Sequence, residues 1–316
     1  MKFSVVIVSY NSKKTVIDTL NSVADQEFKD YELIISDDGS KDGTQEIIEE
    51  WLEKHKDIKA LFIRNPTNMG TTYNCVNAIK HCTTKYVKLI AADDIFTENS
   101  FFCISKSLDA NPDSDIFIGK MYQFTSESNV FDVKSREINC AFRPFDYEKQ
   151  LVKLANAQTK HDKLNNTVTV APSMILNMKS YTKIGGYDTS YKLMEDLPYI
   201  TKCIMEDFKF TLLDDYIVYY RISQNSIAHS NDRNKYTNEE FFEEYFNYFI
   251  KERKGILKQE RNYKLLWNES INLFRNKIIV THGNTYGFWY KITKPLMLLT
   301  TNGIKNHIKI KRNNNL

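Results

Sequence analysis

From residue 3 to residue 92, short apolar runs alternate with stretches whose apolar residues recur three and four apart, the pattern left by parallel βαβ units. Four runs read as buried strands: Phe3 to Ser9, Tyr31 to Ser36, Ile58 to Arg64 and Tyr86 to Ala91. Between them, Lys13 to Ala24, Thr44 to His55 and Thr72 to His81 read as helices, the second with Ile47, Ile48, Trp51 and Leu52 on one face. A helix over Thr97 to Ala110 and a strand over Asp115 to Gly119 follow, and the pattern is irregular from Lys120 to Lys163. A second ordered block holds Ala171 to Leu176, Ile184-Gly185-Gly186-Tyr187-Asp188 and Met194 to Pro198, continuing as a helix through Ile200, Cys203 and Ile204. Two further strands, Phe208 to Leu213 and Ile217 to Tyr220, end in Arg221. From Thr237 the pattern is helical, near 237–254, 258–275 and 284–301. The expected class is α/β: a doubly wound, mostly parallel, Rossmann-like sheet with a helical C-terminal extension.

The 316 residues, 42% hydrophobic and 26% charged, suit one large α/β domain with an appendage or two modest domains, and exclude wholesale disorder. The net charge of +3 conceals an asymmetry. Residues 251–316 hold 14 Lys and Arg against 3 Glu and no Asp, a balance of +11 that leaves −8 for residues 1–250. Such a basic tail suits anionic lipid headgroups, nucleic acid or simply a solvated helical face. Five cysteines without C-x-x-C spacing fit neither a disulfide framework nor a zinc site and point to a reducing cytosol. The first apolar run is too brief for a signal peptide, and no stretch approaches the roughly 20 apolar residues of a membrane span.

In open α/β sheets ligands sit outside the carboxyl ends of the strands. Here polar segments follow three strands, Ser9-Tyr10-Asn11, Asp37-Asp38-Gly39-Ser40 and Asp93-Asp94, and all are expected in one crevice. Adjacent carboxylates at the mouth of a buried strand are costly unless a positive charge meets them, and hard cations such as Mg2+ or Mn2+ bind such oxygens while leaving positions for water and phosphate. The bland readings are ordinary: Asp37 to Ser40 as a capped turn, Asn68-x-Gly70 as a turn, Asp93-Asp94 as solvated acids, Glu195-Asp196 as acids complementing a helix start.

The series Val5-Val6-Ile7-Val8-Ser9-Tyr10-Asn11, Ile35 to Thr44, Asn68-Met69-Gly70, Asp93-Asp94, Ile184 to Asp188 and Glu195-Asp196 resembles the family 2 glycosyltransferases, inverting enzymes of the GT-A fold, over residues 3 to about 228. The resemblance implies a catalytic domain over 1–230, with a nucleotide-binding half 1–119 and an acceptor half 120–230, followed by a basic helical region 231–316. It implies that the Val8 backbone and Tyr10 line the base pocket, Asp38 accepts a uracil N–H, and Asn68 and Gly70 lie close to the nucleotide. Asp93 would serve the ribose or the cation's water shell, Asp94 would bind Mn2+ or Mg2+, Arg221 would pair with the diphosphate, and Asp196 would be the general base. One departure is Ala91, where the family often has a further aspartate.

The function so implied is metal-dependent, inverting transfer of a sugar from a nucleotide sugar, taken as a UDP-sugar, to a hydroxyl of a lipid-linked bacterial surface glycan, without a nucleic-acid partner. The location implied is cytoplasmic, with attachment to the inner membrane face left open. Oligomerisation stays open too, as does the tail segment Tyr286 to Leu299: packed helix or interfacial helix at a membrane surface. The rival readings are a nucleotidyltransferase, although no Gly-rich phosphate loop follows the first strand, and a non-enzymatic receiver-like signalling domain, which would leave Glu195-Asp196 unexplained.

Overall fold

The computed structural model describes residues 1–125, 143–168, 171–222, 239–281 and 292–300. The chain divides into two compact units, 1–222 and 223–316.

The first unit is built on a mixed sheet of nine strands: β1 Phe3–Ser9, β2 Tyr31–Asp37, β3 Ala60–Arg64, β4 Tyr86–Ala91, β5 Ile95–Phe96, β6 Ile116–Thr125, β7 Arg143–Pro144, β8 Met174–Asn177 and β9 Phe210–Ile222. Their order is β3-β2-β1-β4-β8-β6-β9-β5, with β7 beside β6. The first four are parallel, β8 runs antiparallel between β4 and β6, and β6 pairs parallel with β9. Helices α1 Val16–Ala24, α2 Thr44–Lys54, α3 Thr71–Ile79 and α4 Ser100–Ala110 follow these strands. Helices α5 Glu148–Asn156, α6 Lys160–Asn165, α7 Met178–Lys183 and α8 Asp196–Met205 complete the described part of the unit. Every residue of β1 and β2 is buried, as expected of parallel strands covered on both faces. Phe101 of α4 packs edge-on against Phe3, Tyr31 and Phe96, sealing α4 onto the sheet.

Two expectations change. The stretch after Gly119 is not irregular at once, because β6 continues to Thr125 beside β9. The runs Phe208 to Leu213 and Ile217 to Tyr220 belong to one strand of 13 residues rather than two. A register irregularity around Lys120 accommodates the exposed Asp214-Asp215 in mid-strand, where Lys120 pairs with Asp214 at 2.5 Å, so the acids do not end the strand.

In the second unit, α9 Glu239–Tyr248 passes through a π-helical turn, Phe249–Arg253, into α10 Lys254–Gln259, and α11 Tyr263–Thr281 follows. Arg253, 3% exposed, forks onto the Glu269 carboxylate at 2.8–3.0 Å and fastens that turn to α11. The third expected helical segment is only partly described: a 3-10 turn covers Lys294–Leu299, and 284–291 lie outside the described residues, as do the basic residues of 301–316. Among the described residues no helix is long and apolar enough to cross a membrane.

Candidate active site

Strand register brings the sequence motifs to one edge. Ser9 stands opposite Asp37, and Val8 opposite Ala91, so the polar segments after β1, β2 and β4 leave the sheet side by side. Backbone bonds stitch them together: Asp38 N–H donates to Ser9 O and Ala92 N–H to Val8 O, both at 2.9 Å. Thr15, the residue before α1, and Thr19 within it donate their hydroxyls to the carbonyls of Ala92 and Asp94 at 2.8 and 2.7 Å, fixing the acid turn.

The two acids after β2 hold the edge together. Asp37 is fully buried and accepts from the hydroxyls of Ser9 and Ser40, the Ser40 amide and the Gln45 side chain at 2.6–2.8 Å. Asp38 is 2% exposed; its carboxylate accepts from Asn65 Nδ2 and from the amides of Met69 and Gly70 at 2.8–3.1 Å. Two carboxylate oxygens offer about four lone-pair sites, so Asp38 is largely committed to the turn before α3. Three internal donors leave about one acceptor site on this carboxylate for a further N–H. Asn68 is exposed and its Oδ1 accepts from the Gly70 amide at 2.9 Å, a side-chain turn. Gly70 has φ +96°, and a Cβ there would come within 3.0 Å of Lys192. The missing side chain therefore admits the Lys192 backbone, whose carbonyl accepts from Thr72 N–H at 3.0 Å. Val8 is nearly buried with its carbonyl in the ladder, while Tyr10, 47% exposed, stands open at the edge.

Asp93 and Asp94 follow β4 at this edge. Asp94 is 1% exposed, and its carboxyl is held well above the carboxylate range, first by burial and then by the charge of Asp93. Burial raises Asp93 as well, against the pull of Arg221. Arg221, at the end of β9, reaches the pair: its amide donates to Asp94 Oδ1 at 2.9 Å and its Nε to the Asp93 carbonyl at 2.8 Å. Its terminal nitrogen pairs with Asp18 of α1 at 2.9 Å and the guanidinium lies 4.8 Å from the Phe124 ring centroid. Arg221 is 7% exposed, so it is a buried clamp between α1, β9 and the acid turn, a part its position at a strand end did not reveal.

Asp196 opens α8 at 8% exposure, with Ala171 N–H directed at Oδ2 from 3.4 Å. The charges of Asp196 and Asp38 both act on Cys75 of α3. That buried thiol is pushed well up by burial and then by the charges of Glu195, Asp196 and Asp38, acids from two separate parts of the chain.

Asn65, Asn74, Asp18 and Lys88 are residues that motif reading missed. Asn74 Nδ2 reaches the carbonyls of Ser9 and Ser36, and its Oδ1 accepts from Ser36 Oγ at 2.6 Å. Only Lys88 left a signal: a lysine inside an apolar run.

Acids gathered at the carboxyl ends of the strands of an α/β sheet mark the edge where such folds bind their ligands. Residues 4–184 match the family Glycosyl transferase family 2, and the chain belongs to it. It is an enzyme, a glycosyltransferase, and the signalling and nucleotidyltransfer readings fall with that. An uncharacterised glycosyltransferase of Methanocaldococcus jannaschii is 27% identical over 69% of this chain and 70% of its own. The poly-β-1,6-N-acetyl-D-glucosamine synthase of Staphylococcus epidermidis is 27% identical over 65% of this chain, which spans only 46% of that synthase. The abequosyltransferase RfbV of Salmonella typhimurium is 31% identical over 36% of this chain and 34% of its own. Among solved structures, S. aureus TarS 1–349 superposes with a TM-score of 0.55 at 18% identity, covering 93% of this chain and 90% of that one. Its complex with UDP-GlcNAc gives 0.54 at 17%, covering 93% and 91%. These likenesses show the shared GT-A-like fold.

Proposed function

We propose that this glycosyltransferase transfers a sugar from a UDP-sugar to a hydroxyl of a growing bacterial surface glycan, in one inverting displacement assisted by a divalent cation. The observation that carries the reading is the Asp93-Asp94 pair at the carboxyl end of β4, Asp94 buried and Asp93 half-buried, with desolvation raising both carboxyls. Two adjacent carboxylates suit a hard cation through their donor chemistry. Among the described residues no group of three or more His, Cys, Asp or Glu could hold a metal, so water and diphosphate oxygens would complete the coordination of Mn2+ or Mg2+. Asp94 would hold the cation, with Asp93 on the ribose or the water shell, and the bound ion would neutralise the departing diphosphate.

The chain's own residues supply the rest. Tyr10, exposed beside β1, offers its ring to the base. Asp38 keeps the Met69-Gly70 turn closed over the neighbouring edge. Asp196 takes the proton from the acceptor hydroxyl as that oxygen attacks the anomeric carbon; a single displacement needs one base on the face opposite the leaving group. The acceptor is lipid-linked and the basic C-terminal region meets the inner face of the membrane in this reading, with Tyr263, Trp267 and Phe274 exposed on α11 as its apolar contribution. Support comes from the synthase and abequosyltransferase relatives and from the UDP-GlcNAc complex of the similar TarS fold. The test is a panel of nucleotide sugars with Mn2+, read as released nucleotide. Turnover of a UDP-sugar that stops with chelator is expected; no turnover of any nucleotide sugar and no Mn2+-dependent UDP binding by calorimetry would defeat the reading.

A further inference from the structure

Lys88 sits in the middle of β4 with no exposure, the only lysine in the buried set of the described residues. A methionine or leucine would fill this place in the sheet without the cost of desolvating an amine, and exchanging buried ionic groups for apolar ones of like volume is often neutral or stabilising. Packing alone therefore gives no reason for a lysine.

Its contacts do. Nζ donates to the Leu89 carbonyl at 2.8 Å and to the carbonyl of Pro172, and it lies 5.4 Å from the centroid of the Phe96 ring. Pro172 is the centre of the 3-10 turn Ala171–Ser173, and Ala171 of that turn directs its N–H at Asp196 Oδ2. The chain Lys88 to Pro172, then Ala171 to Asp196, links the strand that precedes Asp93-Asp94 to the residue read as the base. Burial takes the Lys88 pKa down to about 7 while the Asp94 charge pulls it up. Either protonation state keeps at least two N–H donors, enough for both carbonyls.

We propose that Lys88 is a positioning residue for sugar transfer: from beneath the site it pins the Ala171–Ser173 turn and through it the orientation of Asp196. The assignment rests on the reading of Asp196 as base, and its test separates the two. In the Lys88→Met variant, hydrogen exchange at the amides of Ala171, Ser173 and Met174 should quicken, with the melting temperature unchanged or higher. With a donor that the wild type turns over, kcat should fall by about 10²-fold, the scale of a misplacement near 1 Å, with donor KM little changed. Adding Lys88→Met to Asp196→Asn should cost nothing further, because both act through one group. Lys88→Gln, which keeps N–H donors without the charge, should recover part of kcat. Wild-type exchange at that turn, wild-type kcat in a folded variant, multiplying losses in the double variant, or Lys88→Gln no better than Lys88→Met would each overturn the assignment. An inactive wild type would instead defeat the function proposed above, and the exchange experiment would still decide whether Lys88 pins the turn.

Discussion

At the scale of the residue, Asp38 and Asp196 are both acids at a site edge and do different work. Asp38 spends its carboxylate on two backbone amides and the Asn65 side chain. Replacing it with alanine strands those buried donors, so Asp38→Ala should lower stability by about 1–3 kcal/mol, measurable as a shifted denaturant midpoint. If the midpoint stays put, the turn does not depend on that carboxylate. Asp196 heads α8 beside the Ala171 amide. Asp196→Asn keeps shape and removes the base, so kcat should drop by about 10²–10⁴-fold with UDP affinity unchanged. Preserved turnover would take Asp196 out of that role. The residue types at these positions were legible in the sequence because paired acids interrupt the apolar pattern around them. Their hydrogen-bond partners were not, since Asn65, Met69 and Gly70 lie about thirty positions further along the chain.

At the scale of the element, the strands of the first half follow their apolar runs closely, because a strand covered on both faces needs an unbroken apolar stretch. β9 was harder to read, since Asp214-Asp215 imitate a break that the partner strand absorbs at Lys120. The opposite end of the sheet carries its own polar knot. Glu32 of β2, 5% exposed, accepts from Ser4 Oγ at 2.5 Å and from the amide and hydroxyl of Thr83 at 2.6 and 2.8 Å, joining β1, β2 and the turn before β4. Burial alone would raise this carboxyl, but the Ser4 and Thr83 bonds outweigh it, with help from Lys59, and hold it below its ordinary 4.5. A lowered folded-state pKa means stability that is complete above that ordinary value and is lost as pH falls through the folded value. Glu32→Gln should therefore be destabilised at neutral pH, and its deficit against wild type should shrink as the pH drops below about 4, followed by thermal unfolding across pH. A deficit independent of pH would show that the ionised form contributes nothing.

At the scale of the whole molecule, the proposed cation and nucleotide site draws on the ends of β1, β2 and β4, on β9 and on the start of α8, so a ligand there binds only the folded unit. UDP with Mn2+ at about a hundred times its dissociation constant should add about 2.7 kcal/mol, read as a rise of several degrees in melting temperature that vanishes with chelator and in Asp94→Ala. An equal rise in Asp94→Ala would move the cation elsewhere. The sequence by itself determined the βαβ order, the buried strands, the acid clusters and the family, because those depend on local periodicity and on motifs a few residues long. Only the tertiary structure decided that Arg221 is a buried clamp on Asp18, that Gly70 makes room for Lys192 and that Lys88 reaches Pro172. Each of those partners lies 84 to 203 positions away along the chain, or is set by one backbone meeting another. No spacing rule encodes such meetings; they exist once the sheet has closed and its desolvated charges have had to find whatever partner the packing brings within reach.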